Sequence, residues 1–302
     1  MSKRARENFN LTIDISFSLE NDLFCLLDNY NEKNLHNFKY FINKGFDIET
    51  QDENEDTLLT YAVKKNILQV VEFLLDNNAN VEHRNKDNLN ALLLSIPHNV
   101  AHECWDPETC VENEHRDISK ITKVLLEKYK QLDISIDCED KEGNTPLLLA
   151  IKDNRNTFLV KLLLTYGADV HHRNKENKNA LLLTIDTINL CEVAEELIKH
   201  GADINFEEED GTTPLLLAIK NCSSYMLHVL LDNDVEIDYV NKNRIYPLAE
   251  VLLNQDFDDY DVEKMIHLGA DVRYLKKHHY YALEHAELYK YKIVEEALKK
   301  YM

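Results

Sequence analysis

The sequence is periodic, and the period restricts the fold more than any other feature. Residues 143–151 read GNTPLLLAI and 211–219 read GTTPLLLAI, while 90–96 and 179–185 read NALLLSI and NALLLTI. Taking the threonine of TPL as a marker, the equivalent positions are Thr57, Asn90, Thr145, Asn179, Thr213, Tyr246 and Tyr281, separated by 33, 55, 34, 34, 33 and 35 residues. A second marker runs in step: GADV at 167–170, GADI at 201–204 and GADV at 269–272, with degenerate copies GFDI at 45–48, NANV at 78–81, QLDI at 131–134 and DVEI at 234–237. Between the markers, apolar residues such as Phe158, Leu159, Leu162, Leu163 and Leu164 follow helical spacing. A period near 33 residues implies small units that bury their apolar faces only against their neighbours.

Thr145 can cap a helix whose first residue is Pro146, where a missing N–H costs nothing. Gly167 follows a second helix, where a left-handed backbone is needed. At these residues the chain resembles ankyrin repeats. The resemblance implies an all-α solenoid of stacked helix pairs with β-hairpin-like loops. Six full repeats fall at 51–83, 84–136, 137–171, 172–205, 206–239 and 240–272, between an N-cap at 20–50 and a C-cap at 273–302. The array at 20–302 is expected to be one domain with one core, preceded by an arm at 1–19. Phe38, Tyr40, Phe41 and Ile42 are expected to serve the N-cap, and Ile293, Val294, Ala297 and Leu298 the C-cap. Leu148, Leu163 and Leu216 are expected in the core.

The chain departs from the family pattern in three ways. The histidine that often follows TPL is replaced by Leu93, Leu148, Leu182 and Leu216, and by Thr60 in the first unit, so the usual histidine bonds between loops are expected to be missing. Asn90 and Asn179 replace the capping threonine but can still cap. The spacing of 55 exceeds the regular 33 by 22 residues, which marks an insert at about 97–117, ahead of a second helix expected from about Asp117. An insert of this kind lies on one edge of an array and is either a binding element or tolerated variation. Trp105, the single tryptophan, is either an interface anchor or a pin that folds back on the helices. His98, His102, Cys104, Cys110 and His115 are zinc-ligand types, but the Cys104–Cys110 spacing is wider than a paired knuckle. The loops HRNKDN at 83–88 and HRNKEN at 172–177 are near copies, from repeat duplication or as matched recognition fingers.

There are 55 acidic and 34 basic residues, a formal charge of −21, which argues against nucleic-acid binding. No apolar run reaches the length of a membrane span, and the first ten residues lack a secretory pattern. Six scattered cysteines without a Cys-x-x-Cys pair suggest a reducing compartment, with the cytosol as the expected location and the cysteines mostly buried. No phosphate-binding loop, nucleophile elbow or HExxH motif is present, and no cofactor is expected. The insert carries a net −5, a turn carries Asp256, Asp258, Asp259 and Asp261, and the C-cap from Arg273 carries +3.

The resemblance implies a non-catalytic, monomeric interaction module that holds a protein partner through its concave face and loops. By that resemblance the contacts fall on Lys64, Lys65, Lys141, Glu142, Asn144, Lys152, Asp153, Lys175, Glu176, Lys178, Asp186, Asp210, Thr212, Lys220, Asn221, Lys242, Asn243 and Arg244. The acidic clusters point to a partner with a basic segment. The bias toward Asn, Lys, Ile and Tyr fits an AT-rich genome, and with it a host-directed effector of an intracellular bacterium or virus. The alternative is a metal-binding or enzymatic protein centred on 97–117.

Overall fold

A computed structural model describes residues 21–96, 112–154, 157–187, 190–254 and 256–289, together with 294, 296 and 299. Among these residues the secondary structure is helical, with a single bridge between Gln51 and Thr57 and no strand. The chain divides into two compact units, Met1–Ser95 with Val111–Lys128, and Ile96–Cys110 with Tyr129–Met302.

The first unit contains α1 (Asn21–Asp28), α2 (Glu32–Asn43), α3 (Leu58–Lys64), α4 (Leu68–Asp76), α5 (Ala91–Leu94) and most of α6 (Glu112–Leu132). The first helices α1, α3 and α5 stack in order, and α2 and α4 each pack on the first helix of their pair. Phe38 and Ile42 of α2 are buried, whereas Tyr40 and Phe41 are half-buried. The helix expected from about Asp117 begins at Glu112 and runs 21 residues, so part of the excess length is taken up as helix.

The second unit contains α7 (Pro146–Leu149), which widens into a π turn at Ala150–Asn154, then α8 (Thr157–Thr165), α9 (Ala180–Asp186), α10 (Cys191–Lys199), α11 (Pro214–Lys220), α12 (Ser224–Leu231), α13 (Pro247–Leu253), α14 (Asp259–His267), α15 (Val272–His278) and α16 (Tyr280–Tyr289). Two layers result. The first helices α7, α9, α11, α13 and α16 form one, and the second helices α8, α10, α12 and α14 form the other. Leu148, Leu163 and Leu216 are buried, as their register requires.

The repeating caps explain why helices start where they do. Oγ1 of Thr57, Thr145 and Thr213 accepts from the N–H three residues on, at 3.3, 3.5 and 3.3 Å. Asn90 and Asn179 make the same bond at 2.9 Å, so the substituted caps are the shorter ones. Tyr246 makes no cap; it is buried, its hydroxyl donates to Asp238 at 2.8 Å, and its ring meets Tyr274 and His279.

Each second helix ends in a left-handed residue: Gly45, Asn78, Asp133, Gly167, Gly201, Asp234 and Gly269. This series corrects the register of one degenerate copy. The residue equivalent to Gly167 is Asp133 and not Gln131, because the left-handed backbone tolerates Asp and falls two residues later than the LDI likeness suggests. Likewise α15 occupies the place of a hairpin loop, and α16, not α15, stacks on α13 as the next first helix.

Candidate functional site

The hairpin loops are built on one polar side chain each. Oδ1 of Asp52, Asn85, Asp140, Asn174 and Asn241 accepts from the backbone N–H two and four residues on, at 2.7–3.0 Å. The backbone of each loop closes with a second bond, such as Asn174 N–H to the Lys178 carbonyl at 3.1 Å. The asparagines also reach the preceding loop. Asn85 Nδ2 donates to Asp56 at 2.8 Å, Asn174 Nδ2 to Asn144 Oδ1 at 2.9 Å, and Asn241 Nδ2 to the Gly211 carbonyl at 3.0 Å. In the fifth loop Glu208 takes this position, 3.2 Å from Lys178 Nζ of the loop before.

The duplicated HRNK loops belong to this ladder. His83 Nε2 lies 2.7 Å from the Glu55 carbonyl and His172 Nε2 lies 2.9 Å from the Gly143 carbonyl. The N–H groups of Lys86 and Lys175 each donate to the preceding loop at 3.0 Å. The position after TPL carries no histidine, as read from the sequence, but two loops are joined by histidines all the same, from the first residue of each HRNK loop. The same contacts give these copied residues a structural use.

The ladder sorts the expected contact residues. Asn144 is buried between Asp140 and Asn174, so it braces loops instead of facing outward. Thr212 is half-buried, and its N–H holds Asp210. Hydrogen bonds from Thr212 keep the Asp210 carboxyl below the usual carboxylate range. Lys178 is partly buried beside Glu208 and Asp186. Burial works against its charge, but the two carboxylates outweigh it and raise its pKa. Lys141, Glu142, Lys175, Glu176, Asp210, Lys242, Asn243 and Arg244 are exposed at the loop tips. Lys152, Lys220, Asn221 and Asp186 are exposed at or just beyond first-helix ends; Asp153 has its side chain outside the described residues. In the first unit Lys64 pairs with Asp56 at 2.5 Å and Lys65 with Asp28 at 2.6 Å. The Asp28 hydrogen bond raises the Lys65 pKa, and Lys65 and Tyr61 lower that of Asp28.

The opposite edge carries the turns between helices of a pair. There the four aspartates divide. Asp258 caps α14, and Asp261 completes a capping box with it. Asp261 is buried, 2.6 Å from His228 Nε2 and 3.1 Å from Ser224 Oγ, so it ties α14 to α12. Asp256 and Asp259 are exposed. Of the set, Asp261 is thus corrected to a buried structural residue, while Asp258 caps α14 from an exposed position.

Sequence reasoning missed three rings on this edge. Phe158, Tyr225 and Tyr260 are each the second residue of their helix, α8, α12 and α14, and are 61%, 72% and 58% exposed. Their separations of 67 and 35 residues are two repeats and one repeat, which an alignment of the repeats would have revealed. A groove of about 1130 Å³ runs from Thr157 past Ile185, Leu190, Cys191 and Cys222 to Tyr225 and Met226. Tyr225 also walls a second groove of about 410 Å³ lined by Glu195, Lys199, His228 and Asp232. Contrary to the expectation that the cysteines are mostly buried, among the described residues Cys25 and Cys222 are exposed and Cys138 and Cys191 half-buried.

Trp105, His98, His102, Cys104 and Cys110 lie outside the described residues, as does the side chain of His115. Among the described residues no group of three His, Cys, Asp or Glu could hold a metal ion, and no helix is long and apolar enough to cross a membrane.

The sequence matches the family model for ankyrin repeats in three copies over residues 27–104 and 153–243, more than half of the chain. A comparison with curated proteins gives no match. Among solved structures, the ankyrin repeat domain of Bcl-3, a member of the IkappaB protein family, is 21% identical with a TM-score of 0.58, covering 73% of this chain and 89% of that one. An ankyrin repeat domain from Acinetobacter baumannii AYE is 21% identical with a TM-score of 0.59, covering 72% and 100%. The ankyrin repeat protein EF0377 is 16% identical with a TM-score of 0.57, again covering 72% and 100%. These structures share the fold described above, and the family match shows that the chain belongs to the ankyrin repeat family.

Proposed function

We propose that this chain is a non-catalytic adaptor that holds a protein partner on the face formed by its hairpin loops and first helices, and draws in a basic segment of that partner with its acidic turn edge. Ankyrin repeats are in general protein–protein interaction modules. The observation that carries the finer reading is the ladder itself. It fixes the loop backbones and leaves Lys141, Glu142, Glu176, Lys242 and Arg244 pointing outward from a rigid frame. Side chains on a pre-ordered frame lose little freedom on binding. The acidic surplus of the chain supports a basic segment, since opposite charge speeds encounter more than it adds affinity. The AT-rich residue bias fits a host-directed effector, which in this reading acts as a monomer in a cytoplasm.

The test is a binding series on a captured partner. The wild-type chain should bind it stoichiometrically, with an on-rate that falls as salt rises. Replacing Lys141, Glu142 and Glu176 by alanine should raise Kd about tenfold while thermal melting stays at the wild-type value. An on-rate indifferent to salt would remove the basic segment from the proposal, and a triple variant that binds like wild type would remove the loop face.

A further inference from the structure

Resting on the interaction reading above, we infer that the turn edge of the second unit, from Phe158 to Tyr260, seats a linear segment of a partner protein in which bulky apolar residues are flanked by lysines or arginines.

Three observations lead there. First, the exposed rings recur in register. Phe158, Tyr225 and Tyr260 sit at one equivalent position of α8, α12 and α14, and Glu192 holds that position in α10. A row of half- to three-quarters-exposed aromatics is a costly surface unless something covers it, and aromatics are the commonest anchors of interfaces. Second, the rings stand beside grooves instead of on a flat face. Tyr225 is the shared wall of the two grooves, and the larger one has an apolar floor of Ile185, Leu190 and Met226. Tyr260 stands edge-on to His228, which lines the smaller groove, with ring centres 5.2 Å apart. Stacked helix pairs lie roughly 10 Å apart, so the three steps from Phe158 to Tyr260 span about 30 Å, or about nine residues of extended chain. A single strand of polypeptide matches that track.

Third, the charge along the track is one-sided. Asp186, Glu192, Glu195 and Asp232 line the grooves, and Asp259 lies beside Tyr260. Some of these charges are paired: Lys199 lies 3.1 Å from Glu196, Lys264 lies 2.8 Å from Asp232, and Lys178 lies 3.4 Å from Asp186, so the unpaired surplus falls on the remaining carboxylates. Glu192, Glu195, Asp256 and Asp259 are exposed, and no salt bridge joins them to a cation among the described residues. An apolar floor with a carboxylate rim fits apolar side chains bracketed by Lys or Arg, and it repels an acidic segment.

The probe is a displayed library of random linear peptides selected on the full chain at low salt, with Kd then measured for the enriched peptides. Enriched sequences should pair a bulky apolar residue with flanking Lys or Arg. Tyr225→Ala should weaken them about tenfold or more, as should Glu192→Lys combined with Glu195→Lys. All three side chains are exposed, so these variants should melt as wild type does. Enriched peptides that bind Tyr225→Ala as tightly as wild type, or no enrichment at all, would overturn the groove. Peptides lost on Lys141→Glu with Lys175→Glu, but kept on Tyr225→Ala, would overturn it while leaving the loop-face reading intact.

Discussion

In the second unit the same repeats build two edges in opposite ways. Along the loop edge one Asp or Asn side chain holds the backbone of most loops, and the asparagines also reach the preceding loop. Asn174 alone accepts from Glu176 and Lys178 and donates to Asn144, and it is buried while doing so. Along the turn edge from α8 to α14, the bonds between neighbouring turns among the described residues include Asn221 Nδ2 to the Ile185 carbonyl at 3.1 Å and Asn254 Nδ2 to Cys222 at 3.2 Å. Rings and carboxylates stand there in water. The contrast teaches that a repeat can present charged tips on a bonded loop frame at one edge and rings and carboxylates beside grooves at the other, with apolar stacking between the layers common to both.

That contrast can be broken most forcefully at Asn174. Asn174→Ala leaves two loop N–H groups and Asn144 Oδ1 without partners, and should cost about 3 kcal/mol in urea denaturation. Asn174→Asp keeps the acceptor and should lose less. Next is Asp261, which pins the far end of the turn edge. Asp261→Ala removes the capping box and the contacts to His228 and Ser224, and should cost about 2 kcal/mol by the same assay. Asp256→Asn with Asp259→Asn should leave stability unchanged, which separates the surface carboxylates from the structural ones.

A smaller loss is expected at Gly143. Its φ is +77°, and a Cβ there would stand 3.2 Å from the Lys175 nitrogen, within the ladder. Gly143→Ala should cost about 1–2 kcal/mol, read as a lowered melting temperature. The pH response should fall where the ladder stops. Beyond Tyr246 the loop is replaced by α15, and His279 is buried against Tyr246 and Tyr274. Burial, with His278 beside it, depresses the His279 pKa. A depressed histidine contributes stability that is full above about pH 6.5 and is lost as pH falls through the lower folded value. The melting temperature should therefore drop between about pH 7.5 and 5, and drop less in His279→Phe. Least of all, Tyr225→Ala should change stability by less than about 0.5 kcal/mol, because its ring is in water.

Much of the fold was legible because the period repeats what local chemistry demands. The TPL markers located the caps at Thr57, Thr145 and Thr213, and the asparagine substitutes at 90 and 179 kept the same bond. What stayed hidden depends on distance across repeats. Two similar loops look like duplication, and only packing shows that His83 and His172 reach the preceding loop. Four aspartates in a row look like one charged patch until the backbone turns Asp261 inward. The apparent match of QLDI to GADI outweighed the backbone requirement that puts Asp133 in the left-handed position. Of the three rings, Phe158 entered only as one apolar residue of a helical pattern, because helical spacing alone does not mark which ring of a short helix faces water.

Amide hydrogen exchange, read with and without a lysine-flanked aromatic peptide, tests the division of labour between the edges. In the free chain the N–H groups of Glu176, Lys178, Asn243 and Ile245, all bonded to asparagine oxygens, should exchange slowly. Adding the peptide should slow residues 190–195 and 221–226, at the start of α10 and α12, and leave the loops unchanged. Fast exchange at those four loop amides, or peptide protection confined to the loops with 190–195 and 221–226 unaltered, would contradict it.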